Sequence, residues 1–362
     1  MNTAETLLAR SPAAQFGRRI AVALSASTPR HRLLHAMAAT ILLLALVVGA
    51  KTGNMPDFSV LREYGKFLFI AFAIFACALA VVRFLWLACV ERHPAPLGSF
   101  LSTFVRFFGD EERLANGLNG TAVLIVFGSA FSVLKGAIVV LSPFGWDRTL
   151  SHIDRILAFG GDPYQRLWWL VESHLAVTTF NFAYNLWFFL LIGTMFAAAF
   201  ASRDSALRHQ FLSTLMLTWT IGGFFLAMAV SSAGPCYFAR LGFGNTYKPL
   251  MDALASTARD SPVWALVTQD ALWRGYIHPS AGSIGISAFP SMHVATAILL
   301  ALYWRRRLSL AGPFMWVFAG LIFVGSIVLG WHYAIDGLGG AAIAVLCWKT
   351  GGYFFGRFAE ET

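Results

Sequence analysis

The chain has 362 residues, of which 57% are hydrophobic and 12% charged, against roughly 25% charged in soluble domains; that excludes a water-soluble globular protein and points to one membrane domain. The four cysteines, at positions 77, 89, 236 and 347, have neither disulfide-framework nor metal-ligand spacing. The net charge of +9 is spread over short segments between apolar runs, so it reflects topology and not a nucleic-acid-binding patch.

Residues 1–34 contain Arg10, Arg18, Arg19, Arg30 and Arg32, too extended a stretch for a signal-peptide n-region. They read as a mobile cytoplasmic tail ahead of a retained signal anchor, and residues 35–362 as one polytopic membrane domain. Apolar runs of spanning length follow near 35–50, 66–90, 121–143, 178–200, 210–230, 290–304, 312–330 and 333–355, giving eight candidate helices of an all-α integral membrane protein. Eight spans place both termini on one side, together with Arg92, Arg203, Arg208 and the Arg305, Arg306, Arg307 cluster. The positive-inside rule makes that side cytoplasmic. The long connections 144–177 and 231–289, and the turn at Gly330 and Trp331, then face the periplasm or a lumen.

The first connection alternates charged residues with Ile, Leu, Phe and Trp and is broken by Gly160, Gly161 and Pro163, a pattern for a segment lying along the interface. Lys135 falls in the middle of a spanning run, where a buried amine points to function, although its long stem can also carry the charge to the interface. Asn181, Tyr184 and Trp187 read as interfacial anchors and interhelical hydrogen bonds. His31, His35, His93, His152, His174, His209 and His278 have no partnered spacing and read as surface or interfacial residues.

Two polar clusters break the apolar pattern. In "FPSMH", Pro290 suits a first helical turn and Ser291 can accept from free backbone donors. A helix N-terminus there favours an anion such as phosphate, with His293 beside it as a proton donor. In "HYAID", His332 and Asp336 are four apart and share one helical face. An aspartate in a spanning segment needs a partner; paired with it, His332 has its tautomer fixed and its other ring nitrogen free to attack. Gly337, Gly339 and Gly340 then allow close helix approach.

These motifs resemble the type 2 phosphatidic acid phosphatase superfamily, specifically its inositol phosphorylceramide synthase-like branch, most strongly over residues 230–345. The resemblance implies a six-helix core within the eight spans, a catalytic region in about 210–350, His332 as the phosphoryl-accepting nucleophile, Asp336 as its orienting partner and His293 as the acid for the departing oxygen. It implies neither a metal nor a cofactor. Met292 stands where the phosphatases usually have glycine, and Ser326 where they have an arginine six residues before the nucleophile; their first motif, a lysine followed by an arginine-proline pair, is not evident. The synthase-like branch tolerates all three changes.

Phosphate binding then falls to Ser291 and to other basic residues. Arg240, in a stretch that resembles the branch and beside the turn-forming Gly234 and Pro235, leads the candidates; Lys248, Arg274 and Lys135 follow. The expected activity is a membrane phosphotransferase acting on a lipid phosphate in the bilayer, with an alcohol or hydroxylated lipid as acceptor. The alternatives are a lipid phosphate or polyprenyl diphosphate phosphatase and, in another class, a non-catalytic lipid or anion transporter. Against the transporter, residues 1–200 hold no second copy of the histidine motifs.

Overall fold

A computed structural model describes residues 12–55, 58–201, 205–278 and 285–358. It is all-α, with no strand among the described residues, as expected where a backbone in lipid must satisfy its own polar groups. The first half comprises α1 (Pro12–Ser27), α2 (Arg32–Thr52), α3 (Phe58–Leu85), α4 (Pro96–Gly109), α5 (Glu111–Leu141) and α6 (Asp147–Leu157). The second comprises α7 (His174–Ala199), α8 (Ser205–Thr220), α9 (Lys248–Asp260), α10 (Trp264–Ile277), α11 (Met292–Arg307), α12 (Ala311–Val328) and α13 (Ala334–Phe358).

Among the described residues, six helical stretches are long and apolar enough to cross a membrane: Gln15–Thr52, Ser59–Val90, Glu111–Leu141, His174–Ala199, Ala206–Ala229 and Ala311–Val328. This multi-pass set is two short of the eight expected. The other two, α11 and α13, fall short of that set by length or composition; α11 is largely buried in the bundle, while α13 leaves Leu338 and Leu346 exposed. The 16 residues of α11 rise only about 24 Å at 1.5 Å each, less than a hydrocarbon core of roughly 30 Å. The 25 residues of α13 are diluted by Asp336, Lys349 and a series of glycines. α11 packs on α8, α12 and α13, and α7 closes on α12. At the periphery, α3 leaves Phe69, Ile70, Ile74 and Val82 exposed, a face suited to lipid.

The N-terminal segment departs from a mobile tail. From Pro12 it is helical and lies along α5. Arg19 pairs with Glu111 at 3.2 Å and Arg30 with Glu112 at 3.1 Å, while Ser27 donates to Asn116 at 2.9 Å. His31 and His209, expected at the surface, are buried with ring centroids 5.0 Å apart. These partners are distant in sequence, so local composition does not reveal them. Arg10 and Arg203, used above for topology, lie outside the described residues.

Both long connections fold over the end of the bundle where α13 begins. α6 buries Asp147, Leu150, Ser151 and Asp154, a single face at positions i, i+3, i+4 and i+7, against α13. The second connection supplies α9 and α10. The Ala265 amide donates to Asn181 Oδ1 at 3.1 Å and Tyr237 Oη to the Gln269 carbonyl at 2.9 Å, while Gln269 Nε2 reaches the Leu329 carbonyl at 3.0 Å. Asn181 thus joins α7 to α10, as an interhelical hydrogen-bonding residue.

Candidate active site

The two polar clusters meet where α11 and α13 begin. Ser291 caps α11, its Oγ accepting from the Val294 amide at 3.4 Å. Pro290 therefore precedes the cap instead of occupying the first turn, because the serine hydroxyl takes the capping position. The Ser291 amide donates to the Asp336 carbonyl at 2.9 Å, tying one motif to the other. Gly340 makes this possible: its Cα lies so close to the Ser291 carbonyl that a side chain has no room.

The backbone amides of the turn into α13 are all hydrogen-bonded. Gly330 has φ +71°, which favours glycine. The Trp331 and His332 amides donate to the Ser326 carbonyl at 3.0 and 3.1 Å, and the Asp336 amide donates to the Tyr333 carbonyl at 3.1 Å. The Tyr333 amide donates to Asp336 Oδ2 at 3.0 Å. The next two amides go to a different helix: Ala334 and Ile335 donate to Asp154 Oδ2 and Oδ1 at 2.7 and 2.9 Å.

On this turn, His332 Nδ1 lies 3.4 Å from Asp336 Oδ2, and the imidazole also lies against the Ala288 carbonyl. His293 faces it, with ring centroids 6.2 Å apart. Tyr184 and Trp187 hold the His293 ring from α7, at centroid distances of 4.7 and 4.4 Å. Their role is closer to the site than that of interfacial anchors.

His293, His332, Lys135 and Ser287 share a cavity of about 210 Å³ with Met292 and three tryptophans, Trp187, Trp219 and Trp331. Lys135 Nζ hydrogen-bonds Ser287 Oγ, so the amine is turned inward. The other expected cations are elsewhere. Arg240 pairs with Asp270 at 2.5 Å and lies over the Trp273 ring, with its side chain 41% exposed. Lys248 pairs with exposed Asp252 at 2.6 Å, and Arg274 is in the last turn of α10; none of the three lines the cavity. Ser291 is buried and engaged as a cap. Met292 enters the cavity beside a π-helical stretch, Ile221–Leu226, where a Cβ on Gly222 would stand 3.3 Å from its sulfur. Ser326 serves the turn through its carbonyl, with its hydroxyl bonded to Phe323 at 2.7 Å.

Two residues escaped the sequence reading. Asp147 accepts from the Ala233 amide at 3.0 Å, the Gly234 amide at 2.9 Å and the Tyr333 hydroxyl at 2.9 Å; Asp154 holds the start of α13. Burial pushes the Asp154 carboxyl up to about 6, against the pull of the Ile335 and Ala334 amides, and Asp336 adds a like charge. Burial also raises Asp147, opposed by the Gly234 and Ala233 amides. The available signal was the seven-residue spacing, which puts both acids on one face of α6.

A family model described as the PAP2 superfamily matches residues 148–350, more than half of the chain. The chain belongs to the PAP2 superfamily. No curated protein and no solved structure matches it. The matched segment begins in α6 and ends in α13, so it includes both long connections as well as the two histidine motifs. Membership supports phosphatase- or phosphotransferase-type chemistry on lipid phosphates.

Proposed function

We propose that this PAP2 protein transfers a phospho-headgroup from a phosphodiester lipid to a hydroxylated acceptor in the bilayer, by way of a phosphohistidine at His332. The carrying observation is the charge in the cavity: Lys135 is the one lysine or arginine lining it among the described residues. A phosphodiester carries one negative charge, and a phosphomonoester close to two at neutral pH. One fixed ammonium matches the diester.

In the first half-reaction a ring nitrogen of His332 attacks phosphorus. Asp336 beside Nδ1 favours the tautomer that leaves Nε2 as the attacking atom. The P–N bond forms as the P–O bond to the leaving alcohol breaks, and His293 gives that oxygen its proton. In the second, the acceptor hydroxyl passes its proton to His293 and attacks phosphorus, and the P–N bond breaks. Lys135 and the first-turn amides of α11 stabilise the charge on the non-bridging oxygens. The tryptophans and Met292 present an apolar wall that favours lipid chains over water.

The branch suggested by Met292 and Ser326, an inositolphosphotransferase-like enzyme, is part of this proposal. So is the orientation: the site lies at the end of α11 opposite Arg305, Arg306 and Arg307, which the positive-inside rule sets in the cytoplasm, so it faces the periplasm or a lumen. The test is to supply purified protein with phosphatidylinositol or another headgroup-bearing phospholipid, with and without ceramide or diacylglycerol, and to identify products by mass spectrometry. Acceptor-dependent headgroup transfer with little free phosphate is expected. Steady phosphate release from phosphatidic acid, indifferent to added alcohol, decides for the hydrolase.

A further inference from the structure

We infer that α6 is a clamp that positions the nucleophile, with Asp147 and Asp154 as positioning residues. The inference rests on the reading of His332 and Asp336 as the catalytic pair. The first amides of any helix have no partner within it, and the residue preceding α13 is Tyr333, whose side chain offers no carboxylate or amide to accept from them. Asp154 fills that place from a helix 180 residues earlier in the chain, taking the Ala334 and Ile335 amides on its two oxygens. Those residues immediately follow His332 and Tyr333.

Asp147, two turns away on the same face, takes the Tyr333 hydroxyl and the Ala233 and Gly234 amides. Segment 231–236 is in turn bonded to both halves of the site. The Ala288 amide donates to the Ser232 carbonyl at 2.8 Å, Phe289 to Ser232 Oγ at 3.1 Å, and Cys236 to the Gly330 carbonyl at 2.9 Å. The Gly145 and Trp146 amides, just before α6, donate to the Ser231 carbonyl, each at 3.1 Å. Gly234, at φ +101°, approaches the Trp331 carbonyl so closely that a Cβ would stand 2.5 Å from it. α6, segment 231–236, the residues leading into α11 and the turn carrying His332 are one hydrogen-bonded plate.

Neither aspartate is in a salt bridge among the described residues; Arg155, adjacent to Asp154, pairs with Asp162 instead. Both carboxylates are buried and accept from backbone amides and one tyrosine hydroxyl. Their geometric effect is to fix residues 333–335, and through them the direction in which His332 presents its ring to the cavity.

The experiment uses the full chain in lipid nanodiscs, comparing wild type with Asp154→Ala, Asp154→Asn, Asp147→Asn and the surface control Asp252→Ala. Histidine ring ¹⁵N spectra are recorded alongside kinetics, and the His332 signal is assigned with His332→Gln. A clamp predicts that kcat per folded molecule falls by about tenfold to a hundredfold in Asp154→Ala, with KM within about twofold, an intermediate effect in Asp154→Asn, and a displaced His332 resonance in both. Wild-type kcat in Asp154→Ala, or a loss confined to KM or to the yield of folded protein, overturns the inference. Where Asp154→Ala does not fold, Asp154→Asn and Asp147→Asn decide by the same measures. Turnover by His332→Gln would sink the proposed function alone, because the displaced or unmoved ring resonance still reports on the clamp.

Discussion

Lys135 Nζ and Ser287 Oγ are hydrogen-bonded across 152 residues of sequence, on the wall of the cavity that also contains His293 and His332. The contact decides between the two fates open to a lysine in a spanning helix. A long stem lets the amine escape to the interface, but here the backbone at Gly285 lies directly on the Lys135 carbonyl and the amine points to the site.

Removing that charge is expected to reduce kcat by about 10²- to 10³-fold in Lys135→Met, the magnitude for one preorganised group at a developing anion. Ser287→Ala should matter far less, since the bound phosphate itself supplies the ammonium with an acceptor. Lys135→Arg retains the charge and should recover part of the loss. Steady-state rates with a diester donor measure all three; a Lys135→Met enzyme within a few-fold of wild type would show that the phosphate is neutralised elsewhere.

The phosphohistidine gives a direct readout. With donor labelled at phosphorus, wild-type protein quenched in denaturant is expected to carry acid-labile label, and His332→Ala none, with turnover abolished. Asp336→Asn keeps a neighbour for Nδ1 but loses the charge that supports an imidazolium, so its kcat should fall by roughly two orders of magnitude less than that of His332→Ala. Label retained in His332→Ala would place the nucleophile on another residue.

Polar residues in an apolar chain are easily read because an ionisable group in a membrane helix is expensive enough to need a reason. His293, His332 and Asp336 stood out on that ground, and the structure brings them together. Arg240 stood out by its neighbourhood in sequence, but its charge is met by Asp270 from a helix thirty residues on. α6 was legible as amphipathic, yet its buried face is acidic where an apolar face was the natural expectation. The reason is the set of free backbone donors on α13 and segment 231–236, which no pattern local to α6 contains. The helix in the N-terminal segment was hidden for the same reason: its partners Glu111, Glu112 and Asn116 lie in the first turns of α5.

Gly340 offers a packing test. A methyl group there meets the Ser291 carbonyl, so Gly340→Ala must separate α11 from α13 and stretch the bond from the Ser291 amide to the Asp336 carbonyl. Overpacking of this kind costs typically 1–3 kcal/mol, and activity should fall with it because the two motifs move apart. A Cβ at Gly320 meets nothing within 4 Å, so Gly320→Ala serves as the control in the same helical bundle. Thermal unfolding and kcat measured together check this; an unchanged Gly340→Ala would mean the helices have slack at their closest approach.

The clamp also makes stability depend on pH. The folded protein holds the Asp154 proton up to about pH 6, whereas an unfolded chain releases it near 3.9. Between those values the native state binds more protons than the unfolded state, so stability falls as pH rises. The contribution is full below about 4 and gone above about 6. Asp154→Asn cannot titrate, and Asp147 is common to both proteins, so subtracting the two Tm profiles in detergent isolates Asp154. The wild-type Tm should decline more steeply than that of the variant between pH 4 and 6, and parallel profiles would show that the Ala334 and Ile335 amides offset the effect of burial on Asp154. A steeper decline means that near neutral pH the protein keeps a buried, ionised carboxylate at a cost in folding stability. That is the form able to accept both the Ala334 and Ile335 amides at once, which is what holding the His332 turn requires.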